Sequence, residues 1–124
     1  MGLRENVRFL GFVDDGQLPA LLNLAQALVY PSLYEGFGLP VLEALACGVP
    51  VVTAYNTSLP EAGGTAARYI EVATDHEALA AELPRVLHDE PERQRMSHAG
   101  LAHAAQFTWE ATARRVMSLY EQVL

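Results

Sequence analysis

The sequence predicts an α/β fold: a partial Rossmann-like parallel sheet of about four strands, with flanking helices and a helical C-terminal tail. Short apolar runs alternate with segments of helical periodicity up to residue 72, which is typical of strands joined by crossover helices. Beyond residue 74 the apolar spacing is helical throughout. The 124 residues are enough for one hydrophobic core, so we expect a single domain.

Four runs carry the strand signal, because each is short, apolar and bounded by turn-forming residues. They are residues 7–13 (VRFLGFV), 27–31 (ALVYP), 49–54 (VPVVTA) and 67–72 (ARYIEV). The run 27–31 is continuously apolar and stops at Pro31, the pattern of a parallel strand covered on both faces. We therefore expect it at the centre of the sheet.

The helices are predicted from their caps and their apolar stripes. Leu18, Leu21 and Leu22 follow the i, i+3, i+4 spacing of a helix face, and Pro40 suits the first turn of the next helix. The expected helices begin at Asp14 or Asp15, near residue 40, at Thr74 or Asp75, near residue 91 and after Thr108, with a helical turn near Pro60.

Composition and charge argue against several classes of partner. The net charge is −7 and all eight basic residues are Arg, without the cationic stripe that nucleic acid or an anionic membrane surface requires. No apolar run reaches the ~18 residues of a membrane span, and the N-terminus lacks the pattern of a signal peptide. The single cysteine, Cys47, rules out an internal disulfide, so we expect a soluble, cytoplasmic protein.

The chemistry is expected in the segment that follows the run 27–31. Ligands of open parallel sheets bind beyond the carboxyl ends of the strands, and here that end is followed by two glycines, Gly36 and Gly38, and then by a helix start. Glu35 and Glu43 supply carboxylates eight positions apart, which suit pairs of sugar hydroxyls. By spacing alone this signal is weak, since a Glu on a helix is far more often part of a solvated face.

The segment YPSLYEGFGLPVLEALACGVPVVTA strongly resembles the E-x7-E signature of retaining glycosyltransferases of family 4, in the two-Rossmann-lobe (GT-B) class. The similarity extends to VRFLGFVDDGQLPALLNLAQALVYPS, SLPEAGGTAARY and FTWEATARRVMSLYEQVL, and so covers nearly the whole chain. It implies that residues 1–124 form a single partial domain, the C-terminal half of a donor-binding lobe.

The resemblance also implies roles for individual residues. Glu35 is expected near the hydroxyls of the donor sugar, as the catalytic-site carboxylate, and Glu43 at the ribose of the nucleotide. Backbone amides between them are expected to contact the sugar and the diphosphate; they belong to Gly36, Phe37, Gly38 and Leu39. Phe12 and Val13 are candidates for the base pocket, although packing at a strand end explains them equally well.

The implied reaction moves a hexose from a nucleotide diphosphate sugar to an unknown acceptor, with retention and without a metal or other cofactor. The four histidines fall in the helical tail without ligand spacing, which also predicts no metal site. In the family the Arg and Lys that hold the diphosphate, and the acceptor lobe, precede the matching segment, so the isolated chain is expected to be inactive. A noncatalytic nucleotide-sugar-binding module and a structural folding fragment remain as alternatives.

A homodimer is expected from the strand order of such lobes, 3-2-1-4-5-6. The run 7–13 corresponds to the third strand of the lobe and the run 27–31 to the fourth, and two strands would lie between them. Without those strands the run 27–31 has an unpaired apolar edge, which recruits other strands. Association would also cover the apolar face of Trp109, Val116 and Tyr120.

Overall fold

The computed structural model describes residues 2–124 and confirms the α/β class, with helices around a parallel sheet and a helical tail. The strands are β1 (Leu28–Tyr30), β2 (Val51–Ala54) and β3 (Arg68–Ile70). The helices are α1 (Leu18–Leu24), α2 (Leu39–Ala46), α3 (Leu59–Gly63), α4 (His76–Leu87), α5 (Glu90–Ala104) and α6 (Trp109–Val123).

The sheet has the order β1-β2-β3, and both pairs of strands are parallel. Every residue of β2 is buried, whereas β1 lies at one edge and its Val29 is 36% exposed. The prediction that the run 27–31 is central was therefore wrong. Its continuous apolar pattern does not distinguish an edge strand from a central one, because strand order depends on pairing between distant segments.

Residues 7–13 were predicted to form a strand, but they form none. All of these residues except the half-buried Val13 are exposed, with Phe9 97% and Phe12 89% exposed. A strand is stabilised by backbone hydrogen bonds to a neighbour, and within residues 2–124 this segment is paired with no other strand. The described sheet thus has three strands, not four.

Caps with local signals were predicted well. The side chains of Asp75 and Thr108 accept hydrogen bonds from backbone amides three residues on, at 2.8 and 3.0 Å, and begin α4 and α6. The first helix differs from the prediction. It begins only at Leu18, and Asp14 contributes its carbonyl, which accepts from the amide of Leu18 at 3.1 Å, instead of a side-chain cap.

The core lies on both sides of β2. The larger buried cluster joins β2 to α2 and α3, while Val52, Val86 and Met96 form a second cluster with α4 and α5. Helix α5 approaches α2 at Gly100, where an added Cβ would lie 2.9 Å from Leu45 Cδ2. Helix α6 has no buried residue, and its Trp109 is 90% exposed.

An ion-pair network fastens α4 and α5 to β3. Arg68 on β3 contacts Glu82 of α4 and, at 3.0 Å, Glu92 of α5. Glu92 also accepts from Arg95 at 2.7 Å. These partners, Arg95 first and Arg68 second, lower the pKa of Glu92 to about 2.

Glu92→Gln should destabilise the fold by about 1 kcal/mol at neutral pH, the size of one charge-assisted hydrogen bond in a part-buried pair. The pKa of Glu92 in the fold lies below its ordinary value of 4.5. Its contribution is therefore complete above that value and is lost as the pH falls towards 2. Urea titrations from pH 7 to pH 2 should thus show a smaller loss of stability in acid for the variant.

The matched control is Glu110→Gln, which removes an exposed ion pair with Arg114 on α6. It should leave the pH dependence close to that of the unmodified protein. Identical acid profiles for Glu92→Gln and the unmodified protein would contradict the role given to Glu92.

Candidate functional site

Two loops meet at the carboxyl ends of the strands. Residues 31–38 form the β1–α2 loop, and residues 55–58 form the β2–α3 loop. Asn56 Nδ2 donates to the carbonyl of Ser32 at 3.0 Å, and Ser58 Oγ donates to the carbonyl of Glu35 at 3.0 Å. The Glu35 amide donates to Thr57 Oγ1 at 3.3 Å. The two loops therefore hold Glu35 between them, at the edge of the sheet where ligands bind.

The carboxylate of Glu35 is oriented through one of its oxygens. Tyr30 OH donates to Oε1 at 2.6 Å and Ser32 Oγ donates to the same atom at 2.8 Å. These bonds, Tyr30 first, lower the pKa of Glu35, and the carboxylate in turn raises the pKa of Tyr30. Oε2 has no hydrogen-bond partner among residues 2–124. Glu35 is thus charged at neutral pH and has an acceptor oxygen to offer a ligand.

The two glycines of the β1–α2 loop serve different purposes. Gly38 has φ +100°, and a Cβ there would lie 2.9 Å from Leu59 Cδ2 and 3.3 Å from the Cβ of Ala62. Gly38 is therefore required for its conformation and for packing against α3. A Cβ on Gly36 would meet nothing within 4 Å, so the backbone there is open to approach from outside. The sequence predicted ligand contacts for the backbone amides of both glycines and did not distinguish these two purposes.

A row of unpaired amides leads into α2. The backbone N–H groups of residues 36–39 donate to no acceptor within the described part of the chain, whereas the Gly38 carbonyl accepts from Val41 at 3.0 Å and from Leu42 at 3.3 Å. The four amides, those of Gly36, Phe37, Gly38 and Leu39, lie at the positive end of the helix dipole. Such an arrangement suits phosphate or hydroxyl oxygens.

The side chains of Phe37 and Leu39 are used differently from their amides. Phe37 packs on Phe107 with ring centroids 5.7 Å apart. Both Phe37 and Leu39 line an apolar groove of about 750 Å³ between α2 and α6, in which Arg115 is the cationic residue. The backbone amides of Phe37 and Leu39 are therefore free to make the predicted ligand contacts, while their side chains face this α6 groove.

Glu43 lies apart from Glu35, on the exposed face of α2. It lines a second groove of about 460 Å³ between α1 and α2, together with Asp15, Leu18 and Cys47. Glu35 does not line this α1–α2 groove. The two carboxylates thus lie in different regions of the surface.

The structure does not bring Phe12 and Val13 into that groove. They precede α1 in a segment without regular structure, where Phe12 is 89% exposed and Val13 is half-buried. Packing at a strand end, the other explanation considered for them, does not apply either, because the segment is not a strand.

Sequence reasoning missed the residues that hold Glu35. Tyr30, Ser32 and the polar run Asn56-Thr57-Ser58 each follow or end a strand, and that position was the available signal. Thr57 has φ +46°, a costly conformation for a β-branched residue that no local pattern predicts. Within residues 2–124 no group of three or more His, Cys, Asp or Glu is placed to hold a metal ion. No helix in the same range is long and apolar enough to cross a membrane.

Tyr30→Phe should raise the pKa of Glu35 towards its ordinary value, because the phenol supplies the strongest of the bonds that stabilise the charged form. Carbon-detected NMR titration of the carboxyl group measures the shift. Tyr69→Phe is the control, since Tyr69 OH donates to the Gly64 carbonyl at 2.7 Å, away from Glu35. Equal pKa values of Glu35 in both variants would show that Tyr30 does not set it.

Comparison with known proteins assigns the chain to a family. The family model of glycosyl transferases group 1 matches residues 1–103. The O-antigen chain mannosyltransferase B of Escherichia coli is 45% identical over 121 residues, covering 97% of this chain and 32% of that protein. The MMP alpha-(1->4)-mannosyltransferase of Mycolicibacterium hassiacum is 35% identical over 128 residues, covering 100% of this chain and 31% of that protein.

A solved structure agrees with these matches. Sucrose-phosphate synthase from Thermosynechococcus elongatus superposes with a TM-score of 0.85 at 32% identity, covering 98% of this chain and 31% of that one. The chain thus spans about a third of the length of these proteins. The match over residues 1–103 and the superposed α/β fold show that the chain belongs to the group 1 glycosyl transferases.

Proposed function

We propose that this chain is the C-terminal half of a glycosyltransferase donor lobe, which binds a nucleotide diphosphate hexose for transfer to an acceptor. The observation that carries the proposal is the row of unpaired amides at residues 36–39, beside the charged carboxylate of Glu35. Neutral donors and a carboxylate acceptor, side by side, match a ligand in which an anionic diphosphate adjoins a sugar rich in hydroxyls.

Each part of the site then has a role. Glu35 accepts a hydrogen bond from a hydroxyl of the donor sugar through Oε2, as the carboxylate nearest the reacting carbon. The amides of residues 36–39 bind the diphosphate and the sugar, and they stabilise the negative charge that grows on the departing diphosphate. Glu43, in the α1–α2 groove, accepts from the two ribose hydroxyls. Phe12 and Val13 remain the proposed base-binding residues, in the segment that leads to this groove.

We further propose that transfer proceeds with retention at the anomeric carbon, by front-face substitution, and needs no metal or other cofactor. The relatives from Escherichia coli and Mycolicibacterium hassiacum are both mannosyltransferases, so mannose is the hexose that we propose first. An acceptor lobe, which a protein of the relatives' length has room to supply, would complete the cleft, and the chain alone would be inactive. The proposed compartment is the cytoplasm, where a lone thiol such as Cys47 stays reduced.

Glu43→Ala should weaken the binding of UDP or GDP more than Glu35→Ala does, because ribose contacts depend only on the nucleotide. Loss of bonds to a charged acceptor, at about 1.5–3 kcal/mol, corresponds to roughly 10- to 150-fold in Kd. Isothermal calorimetry at physiological salt measures it. For the unmodified chain we expect weak affinity, since the net charge of −7 repels a diphosphate.

The control is Glu77→Ala, which removes one carboxylate from α4. By charge alone, every Glu→Ala change should strengthen the binding of an anion, so a loss specific to Glu43 identifies a direct bond. Equal losses in Glu43→Ala and Glu35→Ala, or a larger one in Glu35→Ala, would count against these roles. Absence of nucleotide binding at millimolar ligand would overturn the proposed function itself.

We also propose that the chain associates as a homodimer. The outer edge of β1 is unpaired in the described part of the chain, and the exposed apolar residues Phe9, Trp109 and Tyr120 lie outside the core. An unpaired edge and uncovered apolar side chains both favour pairing with a second copy.

Light scattering should give twice the 13.5 kDa of one chain. Trp109→Asp combined with Tyr120→Asp should shift the protein towards the monomer, because a buried unpaired charge opposes association. Val72→Asp, at another exposed apolar position, is the control and should leave the dimer intact. A monodisperse monomer at every concentration would sink the proposal.

A further inference from the structure

His103, near the end of α5, contacts the end of α3. Its Nε2 lies 3.1 Å from the carbonyl oxygen of Ala62 and 3.3 Å from that of Glu61, so Nε2–H donates to them. The ring lies so close to Gly64 that an added Cβ there would be 2.5 Å from His103 Cε1. The last carbonyls of a helix have no partner within it, and His103 supplies one for this short helix.

The same ring begins an aromatic series that reaches the β1–α2 loop. His103 meets Phe107 edge-on, with centroids 5.1 Å apart, and Phe107 meets Phe37 at 5.7 Å. Tilted and edge-to-face arrangements at these distances are attractive beyond the burial of area. Phe37 supplies one of the four unpaired amides, so its contact with Phe107 directly affects the position of that row of amides.

A second route leads from His103 to the same loop through α3. Gly38 packs against Leu59 and Ala62, and Ala62 is also the residue whose carbonyl His103 binds. The backbone at residues 37–38 is thus fixed from two sides, by α3 and by Phe107. His103 contacts both of these supports and does not belong to the α6 groove or to the α1–α2 groove.

We propose that His103 is a positioning residue for donor binding. It holds α3 and Phe107 in place, so that the four amides of residues 36–39 are all oriented towards the donor. The inference rests on the proposed function, in which these amides bind the diphosphate and sugar. A row of donors that is ordered before binding loses less conformational entropy when the ligand arrives. His103 therefore contributes to affinity without touching the ligand.

Three variants of the full chain separate the parts of this arrangement. His103→Leu removes the donor to α3 and the edge-on ring contact. His103→Gln replaces the donor with an amide N–H and serves as the conservative rescue of the α3 contact. Phe107→Leu interrupts the aromatic series and retains the bond from His103 to Ala62.

Backbone NMR of the ligand-free chain gives the primary readout, through amide shifts at residues 36–39 and hydrogen exchange at Val41, whose amide bonds to the Gly38 carbonyl. His103→Leu and Phe107→Leu should speed exchange at Val41 by up to about tenfold, the equivalent of one aromatic contact. His103→Gln should restore the shifts at least in part. Titration with UDP and GDP should show a small loss of affinity for His103→Gln and a larger loss for His103→Leu.

Glu92→Gln is the control for stability, because it loosens α5 at its other end, far along the helix from His103. It should lower global stability without moving the amide shifts of residues 36–39. His98→Leu, an exposed histidine on the same helix, should change neither.

The proposal is overturned if His103→Leu and Phe107→Leu leave the amide shifts and the exchange at Val41 unchanged, or change them no more than Glu92→Gln does. If His103→Leu fails to fold, His103→Gln and Phe107→Leu decide the matter by the same readouts. If the variants perturb the loop but the chain binds no nucleotide at all, the positioning role of His103 is supported and the proposed function is rejected. Failure of the positioning role and failure of the proposed function therefore give different results.

Discussion

The contact between Gly38 and α3 is the constraint on which the site depends. At φ +100° any other residue is strained, and its Cβ would lie 2.9 Å from Cδ2 of the buried Leu59, whose side chain would have to move. That contact sets where α2 begins, and the start of α2 determines which amides lack partners. The chemistry of the site thus follows from a packing requirement between two short elements.

Close approach at glycine recurs through the helical layer. Gly100 brings α5 to within contact of Leu45 on α2, and Gly64 makes room for the ring of His103 above the end of α3. Because α5 reaches α2 at one point and α3 at another, a single long helix sets the separation of the two short ones. Because protein interiors are densely packed, a larger residue at one of these glycines would also shift the neighbouring elements, so the positions do not vary independently.

The features that sequence predicted correctly are local. Asp75 and Thr108 cap their helices through bonds to amides three residues away, so a short window contains the whole interaction. The loop with Glu35 was also found locally, as a glycine-bearing segment between a strand and a helix. The segment 7–13 failed because a strand exists only with a partner, and strand propensity says nothing about whether one is present. Tyr30 and Ser32 bond the Glu35 carboxylate from within the same short segment. The backbone around Glu35 is held by residues 56–58, more than twenty positions away, and those bonds lay beyond any local pattern.

The β1–α2 loop combines neutral hydrogen-bond donors with one fixed negative charge. Within the β1–α2 loop the groups available to an anionic diphosphate are neutral amides, while the nearest fixed charge, on Glu35, is negative and held so by Tyr30 and Ser32. Neutral donors orient an anion with little long-range attraction, and a net charge of −7 opposes its approach. The charge that grows on a departing diphosphate needs cations for full stabilisation. If the proposed function holds, these residues therefore select and orient the donor, and the driving force for its cleavage has to come from positive groups outside the loop.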